Sequence, residues 1–244
     1  MSFRLLFCTS MNKSILFAVG AAISLFGISS AQDTNSAPEK VPPPKPPLIA
    51  RAPQRSSWII QVTPKGNGPV APSLNPSLPL KYLKQQTWTK SGTLMRCENE
   101  WTDGSKTEDW IIGGAKLYQN PQVGGIQMFS PLSNAGYHDF SSGDFEKLDW
   151  LTLGDYVGVV QHSGETCYFF RARTLLSTDG PFDTVAEVNA PKTPTSVFVS
   201  VRTHLPVSID NGDGEYQFQF LQAPAGELKM PASYASVWAL MNHR

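Results

Sequence analysis

Four acidic side chains follow one another closely in the chain: Glu98, Glu100, Glu108 and Asp109. Two carboxylates flanking a glycosidic bond are the usual machinery of glycoside hydrolysis. The residues around them alternate in polarity, and this alternation puts Glu98 and Glu100 on the side of a strand opposite to Cys97 and Trp101. We therefore interpret these acids as a solvated outer face and keep a carboxylate-based hydrolase only as a minor alternative.

The sequence shows no other strong catalytic or metal-binding motif. A zinc site needs three or four ligands at short spacing, but the four histidines are isolated and no two cysteines have C-x-x-C spacing. The acidic, glycine-rich stretch 210–215 does not have the spacing of an EF-hand loop and is typical of a hairpin turn. A G-x-S-x-G motif, a P-loop and a dinucleotide fingerprint are all absent. We expect a protein that is not an enzyme, with no catalytic residues, no metal and no cofactor.

Composition excludes some partners. The chain has 244 residues, enough for one domain with a sizeable core. It carries 20 basic and 20 acidic residues, which gives a formal net charge of zero. Without a basic surface, a nucleic-acid partner is not expected.

The N-terminus predicts an exported protein. Residues 15–28 form an uncharged apolar run, preceded by Arg4 and Lys13 and followed by the small residues Ser29-Ser30-Ala31. This is the pattern of a signal peptide over residues 1–31. The run is too short for a permanent span, and no later run is long enough, so we expect no transmembrane segment after cleavage. Met1 and Met11 are alternative starts. The predicted location is the periplasm or the extracellular space.

Residues 32–80 are rich in proline, with twelve of the twenty prolines. Proline fixes φ and removes a hydrogen-bond donor, so the segment predicts an extended linker with a polyproline-like stalk over 38–53. One short strand is expected near 58–63. Its apolar residues, from Trp58 to Val62, also fit the first strand of the domain that follows.

The remaining residues, 81–244, predict a single β domain. Alternating stretches are separated by turn residues such as Asp103-Gly104 and Ser163-Gly164. The segment Tyr216-Gln217-Phe218-Gln219-Phe220 is typical of a half-buried strand. Two short helices are expected, at 80–86 and at 233–242. The fold class is all-β with minor helix: a curved antiparallel sheet or half-open barrel of roughly eight to eleven strands.

Large apolar residues on these strands are in surplus and could line a cavity rather than fill a core. The candidate lining residues are Met95, Trp101, Trp110, Ile112, Val197, Val199, Val201, Tyr216, Phe218 and Phe220.

Two cysteines, Cys97 and Cys167, remain after removal of the signal peptide, and both fall in predicted strands. In an oxidising compartment such a pair favours a disulfide. The alternative is two separate buried thiols.

The last third of the chain resembles the LolA/LolB-like envelope proteins. The resemblance rests on Val201–Ile209 with its Thr-His-Leu-Pro-Val turn, on the aromatic strand Tyr216–Phe220, and on Leu228-Lys229-Met230-Pro231. It implies a half-open barrel with a hydrophobic inner cavity, and a role in carrying or sensing lipid or lipid-modified protein. The long amphipathic N-terminal helix of that family has no counterpart here beyond 80–86.

Two main functional hypotheses follow from these features. The first is a non-catalytic exported envelope protein that binds an apolar ligand, a lipid or lipidated protein, in a concave β-sheet cavity. The second is an envelope structural or protein-interaction module without a small ligand.

Overall fold

The computed structural model describes residues 42–65, 81–120, 125–129, 138–172, 193–212, 214–223 and 225–242. The predicted signal peptide, residues 1–31, and the proline-rich residues 66–80 lie outside the described residues. No helix in the described part of the chain has the length and apolar character needed to span a bilayer.

The described residues form one eleven-stranded antiparallel sheet that curves but does not close into a barrel. The fold class predicted from the alternation is thereby confirmed. The strands, in chain order, are β1 (Arg55–Pro64), β2 (Leu83–Ser91), β3 (Leu94–Trp101), β4 (Lys106–Ile112), β5 (Ala115–Asn120), β6 (Gly125–Phe129), β7 (Tyr156–His162), β8 (Glu165–Arg171), β9 (Ser196–Ser200), β10 (Pro206–Asp210) and β11 (Gly214–Leu221). Their order in the sheet is β6-β5-β4-β3-β2-β1-β11-β10-β9-β8-β7. A 3-10 helix, Leu153–Asp155, precedes β7.

Strand β1 occupies the middle of the sheet. It pairs with β2 on one side and with β11 on the other, so that Trp58 lies opposite both Trp88 and Phe220. The apolar stretch from Trp58 to Val62 is therefore the first strand of the β domain, which is the second of the two interpretations given above. Because this strand is buried, its apolar side chains are shielded from water even though a proline-rich segment precedes them.

Residues 48–53 do not form a solvated stalk. Leu48 and Ile49 pack against the core, and Ala52 is buried within it. The amide of Ala50 donates to the carbonyl oxygen of His204 at 2.8 Å. The expectation of an extended spacer over 38–53 is wrong for residues 48–53. Burying their apolar side chains is lower in free energy than leaving them exposed to water.

The two predicted helices have different outcomes. The C-terminal one is confirmed as α1 (Ala232–Asn242). The one expected over 80–86 is wrong for the described residues, because 83–86 belong to β2, whose backbone pairs with β1 and β3 along both edges. Two paired edges outweigh the weak helical preference of a short segment.

Side chains are buried on both faces of the sheet, in a large cluster on one face and a small cluster on the other. A single core cluster contains side chains from the strands that run from β4 to β8 in the order of the sheet. The sheet curves around this cluster, and we call the face that carries it the inner face. A smaller cluster lies on the outer face, where α1 covers Trp110 and Leu117 with Tyr234, Val237 and Trp238. The inner face is the one that could hold a ligand.

Candidate functional site

Aromatic side chains cover the centre of the inner face. The rings of Trp58 and Trp88 face each other across β1 and β2, with centroids 5.7 Å apart and planes 3° from parallel. Phe218 and Phe220 continue the row on β11. Alternation along the paired strands brings these rings to one side, since residues opposite each other in an antiparallel pair share a face.

A loop segment lies across this aromatic row. Residues 138–152, which we call the plug, bury four apolar side chains, Phe140, Phe145, Leu148 and Trp150. Phe145 makes an edge contact with Trp58, with 5.4 Å between ring centroids. The plug has turns rather than regular strands, so side chains and not a hydrogen-bonded ladder hold it to the sheet.

Two ion pairs fasten the plug to the inner face. Lys90 Nζ contacts Asp144 Oδ2 at 2.7 Å, and both side chains are at most 5% exposed. Asp144 also accepts the amide of Ala52 at 2.8 Å. Lys116 Nζ on β5 contacts Glu146 Oε1 at 2.8 Å and Asp109 Oδ2 at 3.2 Å.

At one end of the inner face, the ammonium of Lys116 lies between two carboxyl groups, those of Glu146 and Asp109. Burial alone would raise the pKa of Glu146, but the adjacent Lys116 more than compensates and the pKa of this carboxyl is lowered. Burial outweighs the same lysine at Asp109, whose pKa is raised. Burial and the neighbouring Asp109 raise the pKa of the Cys97 thiol. Cys97 is therefore an inert buried thiol rather than a nucleophile.

A histidine and an aspartate within the plug, His138 and Asp149, form a hydrogen-bonded pair. His138 Nδ1 lies 2.6 Å from Asp149 Oδ2, and His138 Nε2 lies 3.2 Å from the carbonyl oxygen of Gly143. Burial lowers the pKa of His138, but the hydrogen bond and charge of Asp149 outweigh it, so that the pKa is raised.

A cavity of about 150 Å³ remains between the plug and the sheet. Its apolar lining is Trp58, Ile60, Leu83, Trp88, Phe145, Ile209, Tyr216 and Phe218, and its polar lining is Gln86, Asp144, Glu146 and Lys147. The Nε1–H groups of Trp58 and Trp88 are buried and have no hydrogen-bond acceptor among the described residues. A cavity of this size holds a small apolar group.

Most of the predicted lining residues share the inner face. Met95, Val197, Val199 and Tyr216 are buried in its core. Trp101, Phe218 and Phe220 are partly buried against it. Of these residues, only Tyr216 and Phe218 line the cavity itself.

Three predicted lining residues lie elsewhere. Trp110 pairs with Arg96 and Leu117 on the outer face, and Ile112 shares that face. The inner positions of β4 belong instead to Ile111 and Asp109, opposite Met95 and Cys97. The prediction was wrong because the register across the β3–β4 turn, and not side-chain size, decides which face is inner. Val201 lies in the turn after β9, which ends at Ser200.

Cys97 and Cys167 are both free and buried, so the predicted disulfide is wrong for this structure. Cys97 points to the inner face opposite Trp88, whereas Cys167 pairs with Ser200 on the outer face. Five strands also separate β3 from β8. A disulfide requires the two Cα atoms to approach within about 7 Å, which this placement prevents.

Glu98 and Glu108 lie opposite each other on the outer face, and there they form ion pairs with Arg96 and Lys106. The prediction of a solvated outer face holds for these two acids, but it is wrong for Asp109, which is buried on the inner face opposite Cys97. Within the described ranges, no group of three His, Cys, Asp or Glu side chains is arranged to hold a metal ion.

The amino-acid pattern does not reveal that the plug, Lys147 and the pair Trp58–Trp88 are parts of one site. Trp58 carries a signal, since it begins an apolar run that fits a buried strand, whereas Trp88 lies among polar residues. The plug has apolar residues at irregular spacing, and no periodic pattern could place it on the sheet.

The solved structures that are similar to this chain include two mycobacterial proteins. The mycobacterial lipoprotein LppX from Mycobacterium tuberculosis is 13% identical; the alignment covers 72% of this chain and 88% of that chain, with a TM-score of 0.37. LprF from Mycobacterium bovis is 9% identical, with 73% and 89% covered and a TM-score of 0.33. No protein-family model matches the chain, and no curated protein does. The resemblance to LolA/LolB-like proteins stays a prediction, and the functional interpretation rests on the inner face and its plug.

Proposed function

We propose that this protein is a non-catalytic binder of an apolar ligand, a lipid or the lipid group of a modified protein, held between the inner face and the plug. The observation that carries the proposal is the cavity beside the Trp58–Trp88 stack, with aromatic walls on both the sheet and the plug. Apolar pockets with a few polar groups are the usual form of small-molecule sites.

The plug explains how a ligand larger than the cavity would enter. Sites for drug-sized ligands have volumes of about 300–1,000 Å³, whereas the cavity has about 150 Å³. Because side chains and ion pairs hold the plug, its displacement requires no break in the eleven-stranded sheet. A longer chain would replace Phe145, whose ring contacts Trp58, Phe218 and Phe220, against the same aromatic row.

Two carboxyls in the cavity do not favour the alternative of a hydrolase. Asp144 and Glu146 each contact a lysine at 2.8 Å or less. A glycosidase needs one protonated carboxylic acid with a raised pKa, whereas the pKa of Glu146 is lowered.

A cavity-filling substitution tests the proposal. Ile60→Phe adds volume at the cavity wall, and Ile59→Phe makes the same change on the outer face of the same strand. With the neutral dye 1-N-phenylnaphthylamine as the probe, Ile60→Phe should weaken binding by about tenfold or more, a difference of about 1.4 kcal/mol. Ile59→Phe should bind the dye as the unchanged protein does. An unchanged protein that does not bind the dye would contradict the proposal and favour the interaction module.

Export is part of this proposal. The apolar run at 15–28 with Ser29-Ser30-Ala31 supports cleavage after Ala31. N-terminal sequencing of the full chain expressed in a bacterium should show a periplasmic product beginning at Gln32. An uncleaved product retained in the cytoplasm would contradict export.

A further inference from the structure

We propose that the cavity recognises an anionic oxygen headgroup, a carboxylate or phosphate at the end of an apolar chain, with Trp58, Trp88 and Lys147 as the binding groups. The inference rests on the proposed function and names the class of ligand. Three polar groups around one small apolar cavity carry it.

The first two groups are the indole N–H donors of Trp58 and Trp88. The side chain of Trp58 is fully buried and that of Trp88 is 2% exposed. Both rings line the cavity, and neither Nε1–H has an acceptor among the described residues. A buried donor without an acceptor costs roughly 1–3 kcal/mol, and a ligand oxygen that reaches either N–H group would remove this cost.

The third group is the ammonium of Lys147. It contacts the hydroxyl of Tyr216 at 2.7 Å and lies 4.2 Å from the centre of that ring. No carboxylate in the described part of the chain forms an ion pair with it. Its backbone has φ +69, a conformation that is unfavourable for a residue with a side chain and that recurs at functional sites.

The acidic residues of the lining do not oppose an anion at this position. Asp144 is paired with Lys90 and accepts the amide of Ala52. Glu146 is paired with Lys116. Lys90 compensates Asp144, whereas Glu146 shares Lys116 with Asp109, a carboxyl whose pKa is raised by burial. Lys147 is the lining cation without a carboxylate ion pair in the described part of the chain, and it remains to attract an anionic headgroup.

Amphiphiles with the same ten-carbon chain and different headgroups test the inference. Decanoate and decyl phosphate have anionic oxygen acceptors, and decyltrimethylammonium is a cation with no acceptor. We expect both anions to displace 1-N-phenylnaphthylamine from the full chain at about tenfold lower concentration than the cation, and their order to distinguish carboxylate from phosphate.

Indole N–H signals provide a direct readout. In a ¹H–¹⁵N spectrum, Trp58→Phe and Trp88→Phe assign the two signals, and both should move downfield when the anion binds. Lys147→Gln should weaken anion binding by about tenfold more than it weakens dye binding. Lys45→Gln, which removes an exposed lysine outside the cavity lining, is the matched control.

The possible failures are distinguishable. If the dye binds but the anions and the cation compete equally and both indole signals stay in place, the headgroup inference is overturned and apolar-ligand binding stands. If neither the dye nor any amphiphile binds, the proposed function fails, and the inference fails with it.

Discussion

At the scale of single residues, the two buried cysteines are the clearest case in which the structure decides between alternatives. We expect the chain from Gln32 onward to contain two free thiols in denaturant without reductant. Thiolate is the reactive form, and burial raises the pKa of Cys167 to about 12 and the pKa of Cys97 well above its ordinary value. Alkylation of the folded protein should therefore be slow and limited by unfolding. A count below two in denaturant would show a disulfide and contradict the placement of the cysteines on opposite faces.

His138 gives the fold a dependence on pH. Its pKa in the folded protein is raised above the ordinary value of 6.5 because Asp149 outweighs burial. The folded state therefore holds the proton more tightly, and this stabilisation is complete below about pH 6.5 and is lost as the pH rises through the raised pKa. We expect His138→Gln to lower the free energy of unfolding more at pH 5.5 than at pH 8.5.

Asp149→Asn is the matched control for this histidine. It removes the group that raises the pKa of His138, so the pH-dependent part of the stabilisation should disappear in that variant as well. Denaturant unfolding at the two pH values measures both. An equal effect of His138→Gln at pH 5.5 and 8.5 would contradict the ion pair.

At the scale of elements, α1 is docked on the outer face through a close contact with a turn. A Cβ added at Gly113 would lie 2.9 Å from Trp238 Cη2, and the residue has φ +56. Gly92 has a similar φ of +64 but nothing within 4 Å of an added Cβ. Each change to alanine should cost about 1 kcal/mol for the left-handed backbone.

The difference between these two variants isolates the contact with α1. Gly113→Ala should destabilise the protein more than Gly92→Ala, because Trp238 must also move. Equal losses in the free energy of unfolding, measured by denaturant, would mean that α1 does not pack at this turn. The hydroxyl of Tyr234, which donates to the carbonyl oxygen of Glu108 at 2.9 Å, supports the packing.

The elements themselves were largely predictable. The Asp103-Gly104 turn and the Tyr216–Phe220 alternation indicate a hairpin and a strand without any tertiary information, and both are present. β2 was not predictable from its first residues, because pairing with β1 and β3 decides its conformation. Local propensity is a weak guide where both edges of a segment are paired.

At the scale of the whole molecule, alternation predicts which residues share a face of one strand but not which face is inner. Asp109 rather than Trp110 therefore came to lie inside, where it meets Lys116 from the next strand. The plug was also beyond prediction, since ion pairs between distant residues such as Lys90 and Asp144 place it. The candidate site depends on which face is inner and on the plug. The sequence therefore indicates the aromatic residues of the sheet but not the plug that covers them.

The central claim is that an apolar chain binds between the aromatic inner face and the plug. Intermolecular nuclear Overhauser effects between ¹³C-labelled decanoate and the full protein test it most directly. We expect contacts from the chain protons to the rings of Trp58, Trp88 and Phe218. Contacts confined to Trp110 and the residues of α1, with none to the inner face, would contradict the account.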